Sequence, residues 1–180
     1  MLSITIPAAE YWDELNNTFV YLKEQTLQLE HSLVSLSNWE SKWNKSFFSK
    51  VPMTHEETID YIRCMTLTQD VDPAIYNRIT KDLYDKIDKY INAPMTATHF
   101  AKIPAGRANN EVITSELIYY WMLTLNIPSE YQEWHFNRLM TLIRVCSNKN
   151  QPPKKMSTRE LHSRNTALNA ARRQQLNSKG

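Results

Sequence analysis

The residues best suited to chemistry here are five histidines, His31, His55, His99, His135 and His162, and two cysteines, Cys64 and Cys146. A metal site needs such groups to converge, usually through spacings that set two of them on one helix face or one tight turn. No HxxxH, HxxE or CxxC arrangement occurs. Glu133 and His135 are two residues apart, so on a helix they point to different faces. The adjacent carboxylates Glu56 and Glu57 follow Thr54, and a capping box together with the helix dipole accounts for both. No GxSxG elbow is present, and with only 2 glycines a glycine-rich phosphate loop is disfavoured. The sequence reads as a non-catalytic protein with no metal site and no cofactor. Both cysteines lie in apolar helical patterns and read as reduced, buried thiols.

What remains is recognition. Trp39, Trp43, Trp121 and Trp134 sit at helical spacings that suit a core. Trp39 and Trp43, with Tyr119 and Tyr120, nevertheless fall off or at the edge of the apolar faces, and they are candidates for partner binding. A second set is basic. Between Gln151 and Gly180 lie Lys154, Lys155, Arg159, Arg164, Arg172, Arg173 and Lys179 against the single acid Glu160, seven minus one or +6. The whole chain carries +2, so residues 1–150 carry −4. An acidic body with a basic tail admits three uses of the tail: a solvated helix, docking on an acidic protein surface, or contact with nucleic acid. No aromatic residue follows Phe136, so the tail lacks platforms on which single strands stack.

The elements that position these groups are mostly helical. The stretch Ile113 to Cys146 reads as two helices joined by a break at Asn126-Ile127-Pro128, and so short a link folds them back on each other. The first buries Leu117, Trp121 and Leu125, with Ile118 and Met122 beside them. The second, capped by Ser129 with Gln132, buries Leu139, Leu142, Ile143 and Cys146. Upstream, helices follow from His31 to about Phe47, from Thr54 for about twelve residues, from Pro73 through Ile79, and from Thr80 to Ile91. The charge run from Lys81 to Lys89 is a solvated face. Leu2, Ile4 and Ile6 alternate with polar residues as a half-buried strand does, and Thr18 to Leu22 and Thr26 to Leu29 read as two more. Residues 92–110 read as a long loop, with a candidate strand at Met95 to Phe100. The fold expected is α+β and mostly α: a helical domain around a central antiparallel helix hairpin, with a small N-terminal β element and a C-terminal basic helix. Its domains are residues 1–146, a linker at 147–156 and a basic helix at 157–180. No signal peptide and no run of 18 apolar residues is visible, so a soluble intracellular protein with no membrane partner is the expectation.

Four stretches carry a family resemblance: TLQLEHSLVSLSNWESKW, DYIRCMTLTQ, ITSELIYYWMLTLNIPSEYQEWHFNRLMTLIRVC and QPPKKMSTRELHSRNTALNAARRQQLNSKG. Over nearly its full length the chain resembles the tail assembly chaperones of long-tailed bacteriophages. The resemblance implies a non-catalytic protein of the host cytoplasm during phage assembly. Such a protein binds the long helical tape measure protein and keeps it soluble until tail-tube subunits polymerise around it; self-association as a homo-oligomer is a further expectation. The alternative is a structural virion protein of tail or head that contacts nucleic acid through residues 151–180.

Overall fold

In the computed structural model, residues 1–13, 17–100, 112–150 and 157–177 are described. The chain begins with a two-stranded antiparallel ribbon. Strand β1 (Leu2–Ile6) pairs with β4 (Gln25–Leu29), and between them β2 (Ala9–Asp13) pairs with β3 (Thr18–Leu22). In both ladders the partner numbers sum to 31: Leu2 faces Leu29, Ile6 faces Gln25, Ala9 faces Leu22 and Asp13 faces Thr18. The two ladders are therefore one hairpin in continuous register. It is interrupted at Pro7, whose ring nitrogen has no hydrogen to give. Asn17, just before β3, takes the left-handed conformation at φ 49°, which asparagine tolerates better than most residues.

At its base the ribbon alternates cleanly. Ile4, Ile6, Leu27 and Leu29 are buried, while Thr5 bonds Thr26 and Gln28 bonds Ser3 on the exposed face. A slip of one residue would exchange those faces, so burial fixes the register. The far edge of β4 is closed by residues 65–67, with Glu30 N donating to Met65 O at 2.9 Å and Leu67 N to Gln28 O at 2.8 Å.

Six α-helices are described: α1 (Leu33–Trp43), α2 (His55–Met65), α3 (Lys81–Ile91), α4 (Ser115–Thr124), α5 (Phe136–Asn150) and α6 (Thr158–Leu176). Two 3-10 turns, Pro73–Arg78 and Ser129–Glu133, link them. The fold is α+β and mostly α. Helix α1 is the shared packing element, touching α2, α4 and the second 3-10 turn. Its Leu33, Leu36 and Trp39 are fully buried among Ile62, Met65, Ile118 and Leu139. Ser32 and Ser35 cap its start reciprocally, and Asn44 ends it in the left-handed conformation.

Several expectations change in detail. Both helices are present, but α4 packs chiefly on α1 rather than on α5, so they do not form the central hairpin expected. Ser129 makes no cap; residues 129–133 form a 3-10 turn and α5 begins only at Phe136. Gln132, expected as the capping partner, instead accepts from the Tyr119 hydroxyl at 3.0 Å. On α4 the buried row is Ser115, Ile118 and Met122, whereas Leu117, Trp121 and Leu125 are half-buried. Residues 147–150 continue α5 rather than forming linker, since nothing before Pro152 stops a helix. No strand forms between Met95 and Phe100, where Met95 adopts φ 48°. Residues 101–110 of that loop lie outside the described residues. Strand β2 was not expected, because AEYWD carries no simple apolar alternation.

The described residues divide into two compact units, Met1–Cys146 and Ser147–Gly180. The first holds the core. The second contains α6, capped by a reciprocal Ser157–Glu160 box, and every described residue of α6 is exposed.

Candidate partner-binding surfaces

The tryptophans proposed for partner binding are structural. Trp39 is fully buried, and its indole Nε1 donates to Glu57 O at 2.9 Å. That corrects its assignment as a surface residue: its position on α1 faces α2 and not solvent. Trp43 is half-buried, and its Nε1 donates to Asp60 Oδ2 at 3.0 Å. The buried Asp60 carboxylate also accepts from Lys42 and, at 3.4 Å, from Arg63. Three donors from two helices around one carboxylate form a clamp between α1 and α2.

A groove of about 470 Å³ opens beside that clamp, walled by Trp43, His55, Ile59, Arg63 and Asn77. Its cations Lys42 and Arg63 already face Asp60, so they have little charge left for a ligand. Nearby, Lys45 pairs with Glu57 at 3.1 Å. Glu57 also accepts from the Thr54 N–H at 2.7 Å, and that backbone bond, then Lys45, holds its carboxyl below the usual range.

Tyr119 is half-buried and bonded to Gln132, with its phenol pushed up by burial. Tyr120 is 61% exposed, and Leu123, one turn further on the same side of α4, is 76% exposed. Of the basic candidates, Arg159, Arg164, Arg172 and Arg173 stand exposed on α6. Lys154 and Lys155 lie outside the described residues. On α6, Leu161, Leu168 and Leu176 recur at seven and eight residues, so they form one narrow apolar seam along the helix.

Sequence reasoning missed a third surface, on the outer half of the ribbon. The paired positions Glu10 and Tyr21, and Trp12 and Phe19, share one face, and all four side chains are exposed. The Trp12 and Phe19 rings meet edge to face with centroids 4.8 Å apart. The available signal was the alternation of Phe19 and Tyr21 in TFVYL, which was read as an ordinary strand.

The densest group of titratable side chains lies inside. His31 Nδ1 and the Tyr61 hydroxyl are 2.5 Å apart, and the His31 and His135 rings meet edge to face at 5.2 Å. His135 Nε2 bonds Tyr90 O at 3.0 Å, while the Tyr90 hydroxyl donates to Glu30 at 2.6 Å. Burial, then the neighbouring His135, pulls the His31 pKa down to about 3. His135 is lowered as well, chiefly by burial, and the Tyr90 carbonyl opposes that shift. The Tyr61 and Tyr90 phenols are pushed up, first by burial. His31, Tyr61 and His135 are each less than 8% exposed, so no substrate reaches them. The network ties the start of α1 to α2, α3 and α5 and keeps its rings neutral.

Cys64 and Cys146 are free, half-buried thiols, and burial pushes Cys64 up to about 11. Among the described residues no cluster of three or more His, Cys, Asp or Glu could hold a metal ion. Among the same residues no helix is long and apolar enough to cross a membrane. No protein-family model matches the sequence, and no curated protein or solved structure shows significant similarity to it.

Proposed function

We propose that this protein is a non-catalytic tail assembly chaperone of a long-tailed bacteriophage, acting in the host cytoplasm. It binds the tape measure protein reversibly and covers its apolar helical stripes until the tail tube forms. The supporting observation is α6. A capped helix of 19 residues, exposed along its whole length, gains little from burial in its own fold. Its narrow leucine seam, flanked by arginines, is the kind of surface that pairs with another helix. Tyr120 and Leu123 on α4 add a second exposed apolar ridge.

Co-expression with the tape measure protein encoded in the same genome tests the reading. The chaperone raises the soluble yield of that protein and co-purifies with it; an unchanged yield without co-purification rejects the proposal. The arginines of α6 favour one rival, a virion component that contacts packaged DNA. In that case DNA affinity falls steeply with salt and is lost on removing residues 151–180.

A further inference from the structure

We propose that helix α6 recognises an acidic amphipathic helix of a partner protein, through one stripe in which leucine and arginine alternate turn by turn. The inference rests on the reading of the molecule as a binding protein, and it names the chemistry a partner must present to this helix.

Residues three or four apart on a helix lie within about 60° of each other round its axis and so share a side. Steps of this kind from Leu161 reach Arg164, Leu168, Arg172 and Leu176, one residue in each successive turn. The stripe runs about 22 Å along the helix, and its two arginines stand about 12 Å apart. All five residues are exposed, Leu161 and Leu168 at 45% and 44% and Leu176 at 76%. The helix holds four arginines against one acid, Glu160, four minus one or +3. Glu160 lies about 100° round from Leu161. Its carboxylate accepts from the Ser157 N–H and hydroxyl, both at 2.9 Å. The stripe itself therefore carries no acid.

Three occupants fail on this pattern. A purely apolar ridge would strip water from Arg172 and offer it no partner. A second α6 sets like charges together: parallel pairing puts Arg172 against Arg172, and antiparallel pairing centred on Leu168 puts Arg164 against Arg172. A nucleic acid backbone satisfies the arginines, but the leucines between them would face phosphates and gain nothing. A helix whose apolar ridge is broken by Asp or Glu every second turn satisfies both residue types. Its apolar side chains cover the leucines, and each guanidinium meets a carboxylate. To match the arginine spacing, those acids stand about eight residues apart on the partner.

The test uses the full-length protein and three labelled helical peptides of about 20 residues. One carries a leucine ridge broken by glutamate every second turn, one has lysine in place of glutamate, and one is the glutamate peptide in scrambled order. Fluorescence anisotropy should show the glutamate peptide binding at least about tenfold more tightly than either of the others. Leu168→Ala and Arg172→Gln should each weaken it about tenfold. Arg173→Gln makes the same charge change about 100° away from the stripe and should weaken it less than about threefold. Lys86→Ala on the solvated face of α3 should leave it unchanged. Alanine and glutamine are good helix formers, so circular dichroism should show the helix intact in these variants. Arg172→Glu should move the preference toward the lysine peptide. Equal binding of the scrambled peptide, absence of binding, or equal effects at Arg172 and Arg173 overturns the inference. Tighter binding of duplex DNA that ignores Leu168→Ala also overturns it, and assigns the helix to nucleic acid. So does a sedimenting dimer that Arg172→Gln dissociates, which would assign the stripe to a second copy. Peptide binding without a tape measure effect removes the chaperone reading alone. A tape measure effect that survives Leu168→Ala and Arg172→Gln removes this inference alone.

Discussion

Mild acid should weaken this fold well before its carboxylates titrate, and His31 is the reason. In the folded state its pKa is held near 3 against an ordinary 6.5. A group whose folded pKa is depressed takes up its proton in the unfolded chain first, so the unfolded state binds more protons and stability falls as pH falls. The loss begins near 6.5 and continues to about 3. Each pH unit in that interval is worth about 1.4 kcal/mol. From pH 6.5 to 4.5 His31 alone should remove about 3 kcal/mol, a large share of a typical 5–15 kcal/mol. His135, lowered too, acts in the same direction, while its Tyr90 carbonyl bond and Glu30 moderate it. The carboxyls of Glu57 and Glu116, also held below their ordinary range, add their share only toward more acid pH. Urea unfolding followed by circular dichroism at half-unit steps from pH 7 to 4.5 measures the slope. His31→Asn keeps a polar partner for Tyr61 and cannot charge, so most of the slope should vanish even though the variant is less stable at pH 7. Wild-type stability that stays flat across the interval, or an undiminished slope in His31→Asn, would refute the reasoning.

Trp39→Ala removes a fully buried ring together with its indole bond to Glu57 O, so it should cost about 4 kcal/mol and lower the thermal midpoint by roughly 10 °C. Tyr120→Ala on the exposed side of α4 should move the midpoint by less than about 2 °C in the same scan. Glu40→Gln should cost about 2 kcal/mol in urea unfolding, because the buried carboxylate accepts from Phe47 N and Ser115 N, both at 2.7 Å, and an amide can face only one of them with an oxygen. In a peptide spanning 157–177, Ser157→Ala should lower helix content seen by circular dichroism, since the capping box is worth about 1 kcal/mol.

The helices were legible wherever an apolar period coincided with a capping signal. Thr54 with Glu57 and Ser157 with Glu160 both form the reciprocal boxes their spacing announces. Ser129 with Gln132 has the same spacing and fails, because Gln132 is taken by Tyr119 and the chain after Pro128 winds as a tighter 3-10 turn. Ser32 with Ser35 succeeds without the usual glutamate, a case the pattern does not reveal. The candidate surface was less legible. Periodicity reports which residues share a side of a helix, not which side a neighbour covers, so Trp39 could be taken for surface although α2 encloses it. The ribbon failed for a related reason. Register between strands separated in sequence is a tertiary property, and only the coordinates reveal that Trp12, Phe19 and Tyr21 extend the strip begun by Ile4 and Leu27.

Quantitative mass spectrometry of infected cells and of purified virions tests the central claim most directly. The account predicts that the protein co-isolates with the tape measure protein before tube polymerisation and is depleted from mature particles. Recovery in mature particles at a fixed stoichiometry, with no complex in the cell extract, would contradict it.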